Sequence, residues 1–464
     1  MSRRLADILF ALMALCGDGA MRVGMTVHLL QYDSNKRLQQ AEEGKLLGVR
    51  IPEVTIKCPD PTIERVLSAI HQLWGQLTKT SPPYSKGELF SLPFPYVVPG
   101  GVYQQLFYWD SYFIILGLNV SKLYELARGV VNNFFYELKT FGMIPNSSEL
   151  AHLSRSQPPL LTSMIEEVWR GDKEWLRLAY KWAKIEYKEV WMDKNTHYHP
   201  DIGLNKYYDR LESMLRVKGE AYLHFDEVYI PPAFWHERVE AESGWDYTGR
   251  FHRQCGYFIP VDLNALLYKY ETDLAAFARL LSLENEANQW EQAARRRKDL
   301  MNRYLWNEPL GMYFDYHFPS GRQHRYYSLA AFYPLWARAA SKRQAAEIVR
   351  HLPLFLQPGG LAASNIQTGF QWDFPNGWAP LHWIVIKGLQ NYGYHREAQE
   401  IARRWIRLCT HVYVETGKLY EKYNVVDMSI RTVGRYPSQE GFGWTNAVYA
   451  KIAVDLLGCT VCLR

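Results

Sequence analysis

Several carboxylates in this chain stand close to a tryptophan, tyrosine or glycine. Asp110 lies in YWDSYF, Glu242 and Asp246 in ESGWDYTGR, Asp373 in QWDFPNGWAP, Glu421 in YEKYN and Glu440 in SQEGFGW. Carboxylates used in pairs perform general acid and base chemistry. Breaking a glycosidic bond needs one protonated carboxyl to donate to the leaving oxygen and a second carboxylate to activate water or attack the anomeric carbon. An adjacent ring offers a face for a pyranose, and an adjacent glycine allows a close backbone approach. One such Trp-Asp pair is explained by an ordinary buried hydrogen bond. Five loops of this kind in one chain point to a sugar site.

The elements that hold these loops read as helices. Ile63, Val66, Leu67, Ile70, Leu73 and Leu77 share one helical face behind Pro61. Similar stretches recur at 122–141, 174–191, 261–282, 286–306, 328–340, 344–352, 379–392, 396–409 and 444–457. Sustained alternating strand patterns are scarce. About ten helices joined by loops rich in Gly, Pro, Trp and Asp suggest an all-α toroid or solenoid with its chemistry in the loops. No fixed-period repeat favours a tetratricopeptide or armadillo array. With no linker clear enough to cut the chain, we expect an N-terminal extension over 1–29 and a single catalytic domain over 30–464.

Composition narrows the partners. The 53 basic and 48 acidic residues leave a net charge of +5 without a long single-sign run, so neither nucleic acid nor a membrane surface is expected. Aromatic residues make up 15% of the chain, which fits either a Trp- and Tyr-filled core or a sugar cleft. The six cysteines are sparse and irregular, which predicts a reduced interior rather than a disulfide framework. Cys459 and Cys462 form a CxxC without the second pair a zinc ribbon needs, so no metal is expected there. Arg3 and Arg4 precede an apolar run from Ile8 to Cys16 that resembles a short leader; an amphipathic helix fits it as well. No run reaches the roughly 20 apolar residues of a membrane span.

The loops resemble the blocks of the trehalase family (glycoside hydrolase family 37). PGGVYQQLFYWDSYF, from Pro99 to Phe113, is similar to its first signature, and QWDFPNGWAPLHW, from Gln371 to Trp383, to its second. IPNSSELAHLSRSQPPLL, ESGWDYTGR, IPVDLNALLY, EKYNV and SQEGFGWTNAVY resemble further blocks in the family's order. The resemblance runs from about Gln31 to about Leu457. It implies an (α/α)6 barrel and inverting, cofactor-free hydrolysis of α,α-trehalose to two glucose molecules, by a chain expected to be a monomer.

By the same resemblance Asp246 is the general acid and Glu421 the general base. Trp109, Asp110, Asn146, Arg155, Gln157, Glu220 and Gly244 fall on sugar-binding positions, as does Lys218 where the family has arginine. Burial beside Trp245 or a neighbouring carboxylate should keep the acid protonated. Inversion asks for roughly 6.5–9.5 Å between the carboxyls, to admit water.

Some positions depart from the family pattern. Val102 replaces a sugar-contacting arginine, Gln104 and Gln105 replace Arg and Glu, and Glu149, Ala151 and His152 replace an Arg and two Tyr. In the lid, NVVDMSIRTVGRYPSQ, Arg435 replaces a sugar-contacting Glu, and Val425, Val426, Ile430, Thr432 and Val433 predict a stiffer loop. Two expectations follow. Either this is drift, with Val102 and Arg435 exchanging a charge between loops, or the substrate is another α-glucoside with a different leaving group, for instance an anionic one such as glucosylglycerate with Arg435 binding it. Loss of hydrolysis would leave a sugar-binding protein, for which paired acid and base serve no purpose. Compartment stays open between cytoplasm and periplasm, with the cytoplasm preferred.

Overall fold

The computed structural model describes residues 50–81, 89–210 and 234–464, with the backbone alone of 224–225 and 228–229. The extension over 1–29, Lys218 and Glu220 lie outside the described residues.

Helices dominate, and they alternate between two layers. Helix α1 (Pro61–Leu77) is followed by α2 (Tyr108–Val120), α3 (Tyr124–Phe141), α4 (Leu161–Val168), α5 (Lys173–Glu186), α6 (Phe234–Glu242), α7 (Val261–Leu280), α8 (Glu284–Tyr304), α9 (Tyr333–Trp336, led in by a 3-10 turn), α10 (Lys342–Arg350), α11 (Ala379–Asn391), α12 (His395–Thr416) and α13 (Gly443–Leu456). Six of these close a ring: α2 packs on α4, α4 on α7, α7 on α9, α9 on α11, α11 on α13, and α13 back on α2. Helices α1, α3, α8, α10 and α12 each precede a ring helix along the chain, and α5 and α6 together precede α7. Of these, α1 packs on α13, α3 on α2, α8 on α7 and α12 on α11. This is the (α/α)6 barrel that the sequence leads one to expect.

The two layers differ in sequence as their environments require. In α2 every residue from Tyr108 to Leu118 is buried, because the helix has neighbours on all sides. Outer helix α8 buries only Ala287, Trp290, Ala294, Arg297 and Met301, a single stripe at helical spacing, and presents charge to water elsewhere. Helix starts carry expected signals: Asp60 accepts from the Thr62 N–H ahead of α1, with Pro61 at the first position, and Ser341 and Gln344 form a capping box on α10.

Short strands complete the fold. Strand β1 (Val54–Lys57) pairs antiparallel with β4 (Thr460–Leu463), and β2 (Asn376–Trp378) with β3 (Lys422–Asn424). The β1–β4 pair brings the two ends of the described chain together and places Cys58 against Cys459 in a disulfide. This corrects the expectation of wholly reduced cysteines, and it removes Cys459 from any CxxC metal pair. Cys255 and Cys409 are free and buried, and Cys462 is free and exposed. No described helix is long and apolar enough to cross a membrane.

Candidate active site

The segments ahead of the inner helices collect at one end of the ring and enclose a cavity of about 360 Å3, within the roughly 300–1,000 Å3 range of small-molecule clefts. Helix α2 delivers Trp109 and Asp110 from its first turn, β2 delivers Trp378, and the start of α13 delivers Trp444. Arg155 and Gln157 come from the segment before α4, and Gly244 and Asp246 from the loop after α6. Glu421 stands immediately before β3.

Asp246, Glu421, Trp109, Asp110, Asn146, Arg155, Gln157 and Gly244 therefore all line one cavity. The side chain of Arg435 is not among the lining groups; it lies over the Tyr247 ring, 3.2 Å from its centroid. Val102 does line the cavity, as do Gln105, Glu149 and His152. The other carboxylates singled out in the sequence are held elsewhere. Glu242 accepts from the Ser156 and Tyr208 N–H groups, Asp373 from Thr248 Oγ1 and the Gly249 N–H, and Glu440 is exposed beside Lys418.

The two central carboxyls have different surroundings. Glu421 is buried, which pushes its pKa up, while Lys422 and Tyr436 act against that rise. Lys422 Nζ sits 2.9 Å from Glu421 Oε2, and the Tyr436 hydroxyl donates to Oε1 at 2.7 Å. Lys422 is itself fully buried, with its ammonium 3.8 Å from the centre of the Tyr436 ring. Lys422 and Tyr436 thus favour the ionised form of Glu421 against its burial. Asp246 is half-buried, and desolvation is the largest influence on it, raising its pKa. Its carboxyl accepts from a neutral amide, Gln371 Nε2 to Oδ2 at 2.9 Å. Arg435 and Lys422 draw its pKa down only partly. A neutral donor on one carboxyl and a cation with a phenol on the other are unequal partners of the kind that suit an acid and a base.

Asp110 is a third carboxyl, buried and raised well above the usual range first by desolvation and then by the charges of Glu421 and Asp246. Three such groups cannot all ionise together at no cost. Arg155 is the reverse case. Burial and repulsion from Arg238 lower its pKa to about 10, and its buried Nε and Nη1 have no hydrogen-bond acceptor, Asp209 standing 3.6 Å from Nη1. Buried unsatisfied donors are costly, so they mark where a ligand oxygen belongs. His152, held near 3 by burial and by Arg155 and Arg238, is neutral in the cavity wall.

Rings supply the apolar surface. Trp372 and Trp378 stack at 3.9 Å with planes 3° apart, and Trp109 lies 5.7 Å from Trp372 and 5.9 Å from Trp444. Gly244 has φ +73°, and a Cβ there would sit 2.8 Å from the Trp109 ring. Glycine is what allows the Asp246 loop to lie against this ring.

The QWD segment clamps that loop from behind. Gln371 also donates to the Asp246 carbonyl, the Trp372 N–H donates to the Tyr247 carbonyl, and Asp373 holds Thr248 and Gly249. Because Trp378 faces Lys422 in the β2–β3 register, the same segment also fixes the strand behind Glu421. Roles for Gln371, Lys422 and Tyr436 were not assigned from sequence, although all three stand inside the quoted blocks. Their proximity to the carboxyls comes from the fold. Among the described residues no group of three or more His, Cys, Asp or Glu could hold a metal ion.

The comparison with family models decides the family. The trehalase model matches residues 38–225 and 204–456. The chain belongs to the trehalase family. It is a glycoside hydrolase. The structure of neutral trehalase Nth1 from Saccharomyces cerevisiae is similar, with 31% identity and a TM-score of 0.67, covering 83% of this chain and 78% of that one. A GH63 mannosylglycerate hydrolase from Thermus thermophilus shares the fold at 18% identity and TM-score 0.61, covering 83% and 99% of the respective chains. A GH78 rhamnosidase from a Bacillus species shares it at 14% identity and TM-score 0.56, covering 87% of this chain and 35% of its own. This trehalase-family chain therefore carries a barrel found on several kinds of glycosidase.

Proposed function

We propose that the protein hydrolyses α,α-trehalose with inversion, Asp246 acting as general acid and Glu421 as general base. The observation that carries this reading is the unequal support of two carboxyls in one cavity: an amide on Asp246, an ammonium and a phenol on Glu421. Asp246 gives its proton to the glycosidic oxygen as that bond breaks. Glu421 takes a proton from the water that attacks the anomeric carbon from the opposite face. Arg155 binds sugar hydroxyls with its unpartnered donors, Asp110, Asn146 and Gln157 accept or donate around the ring, and Trp109 offers an apolar face. On the resemblance, Lys218 and Glu220 join them.

We favour a neutral leaving group over a carboxylate on the charge of Glu149, with Arg155 in the same cavity wall assigned to sugar hydroxyls. Glu149 lines the cavity, held by Gln105 Nε2 at 2.9 Å, and would repel an anion. A hydrolysis panel of trehalose, other α-glucobioses, glucosylglycerol and glucosylglycerate tests the choice. Trehalose or another neutral glucoside should be the best substrate; preference for glucosylglycerate would overturn it. The Cys58–Cys459 disulfide supports an oxidising compartment, and hence the periplasm over the cytoplasm.

A further inference from the structure

Arg435 is one of the departures from the family pattern, and its surroundings give it work away from the sugar. Its guanidinium lies over Tyr247, with Cζ 3.2 Å from the ring centroid, and Nη2 is 3.5 Å from Glu237 Oε2. Glu237, on α6, gives its other oxygen to Arg253, so one carboxylate serves two arginines. Tyr247 directly follows Asp246. It has φ +69°, a conformation that costs a non-glycine residue energy and persists only where neighbours impose it. Its N–H is taken by Glu240 at 2.7 Å, its carbonyl by the Trp372 N–H at 3.1 Å, and its ring by Arg435.

The residue on the other side of Arg435 points to the base. Tyr436 donates to Glu421. The segment before it is pinned as well: Asn376 Nδ2 donates to the Val433 carbonyl at 2.7 Å and accepts the Val433 N–H through Oδ1 at 3.2 Å. Gly434, at φ +134°, lies so near Gln371 that a Cβ would be 2.6 Å from its Cβ. Two consecutive side chains thus span from the neighbour of Asp246 to Glu421.

We propose that Arg435 is a positioning residue, not a sugar ligand: together with Tyr436 it clamps the Asp246 loop and the Glu421 strand in one register, through Tyr247 and Glu237. The proposal rests on the assignment of Asp246 and Glu421 as acid and base. The positive charge of Arg435 has a second effect. Asp246 faces Glu421, Asp110, Tyr103 and Tyr436 across the cavity, Glu240 and Asp373 behind its loop, and Lys422 on β3. Against burial, which raises the Asp246 pKa most, the cations Arg435 and Lys422 lower it. Removing Arg435 therefore makes Asp246 harder to ionise, and the protonated acid persists to higher pH.

The test compares wild type, Arg435→Met, Arg435→Lys and Glu237→Gln on trehalose, reading kcat, KM, the pH profile and the melting temperature. Arg435→Met should lower kcat about tenfold with little change in KM, as expected for misplaced catalytic groups, and move the alkaline limb to higher pH. Arg435→Lys should keep the limb in place because it keeps the charge, and recover only part of kcat because ammonium lacks the planar face. Glu237→Gln should lower kcat in the same sense. It gives an independent reading if Arg435→Met does not fold. A rise in KM with kcat and alkaline limb unmoved in Arg435→Met would assign Arg435 to substrate and overturn the proposal. Unchanged kcat and pH profile in both Arg435→Met and Glu237→Gln would do the same. If instead Asp246→Asn remains fully active, the acid assignment itself fails, an outcome separate from either of these.

Discussion

Gln371 donates its side-chain amide to the Asp246 carboxyl at 2.9 Å and to the Asp246 backbone carbonyl at 3.1 Å, fixing the proposed acid by both ends of the residue. A neutral donor orients a carboxyl without supplying the charge that would ionise it. Gln371→Leu should therefore lower kcat roughly tenfold and leave KM within about twofold, since the loss is one of alignment. Gln371→Glu, by adding a carboxylate beside Asp246, should raise the acid's pKa and shift the alkaline limb upward. Steady-state kinetics across pH measure both.

Asp246→Asn and Glu421→Gln should each reduce kcat by at least about 10²–10⁴-fold, the range of general acid–base catalysis. Each substitution removes a titratable group with little change in side-chain size, so circular dichroism should stay native. Full activity in either variant contradicts its assignment.

The pH profile should be a bell. Glu421 must be ionised, so activity falls on the acidic side as it takes up a proton; Asp246 must be protonated, so activity falls on the alkaline side as it loses one. Burial raises both carboxyls above their ordinary values, which places both limbs above those of exposed carboxylates. Tyr436→Phe removes the 2.7 Å hydrogen bond that favours the Glu421 carboxylate. Its acidic limb should therefore move to higher pH while the alkaline limb moves less.

Much of this arrangement was legible in the sequence, and the exceptions have physical causes. Outer helices such as α8 show a one-sided stripe and are read directly. Inner helix α2 is buried on every face, Asp110 and Ser111 included, and so shows no one-sided stripe, and α4 is only eight residues long, too short to stand out. Asp246 and Glu421 were found because family blocks mark them. Gln371, Lys422 and Tyr436 gain their roles from the β2–β3 pairing and from the lid's return across it, which spacing does not reveal. The Cys58–Cys459 bond joins residues 401 positions apart through a four-residue strand pair, and neither strand is long enough to announce its partner.

Arg250 is fully buried and divides its guanidinium between Asp262, at 2.8 and 3.0 Å, and Asp315, at 2.6 and 2.7 Å. It anchors the far end of the Asp246 loop to α7. Arg250→Met leaves two buried carboxylates without their cation and should cost about 3–5 kcal/mol, read as a lower denaturation midpoint.

The disulfide ties β1 to β4 and should contribute about 2–4 kcal/mol, chiefly by restricting the unfolded chain. Cys58→Ser, or a thiol reductant, should lower the melting temperature by several degrees and leave kcat at 25 °C nearly unchanged. An unaltered melt with the bond verifiably reduced contradicts this.

The central claim is inverting hydrolysis by Asp246 and Glu421, and the anomers released from α,α-trehalose test it most directly. Proton NMR in the first moments of turnover, before mutarotation, should show α- and β-glucose in equal amounts: the leaving sugar keeps its α configuration, and the sugar attacked by water emerges as β. Neither signal should grow with Asp246→Asn or Glu421→Gln. α-Glucose alone as the first product would contradict inversion, and with it the assignment of Glu421 as the base that activates water.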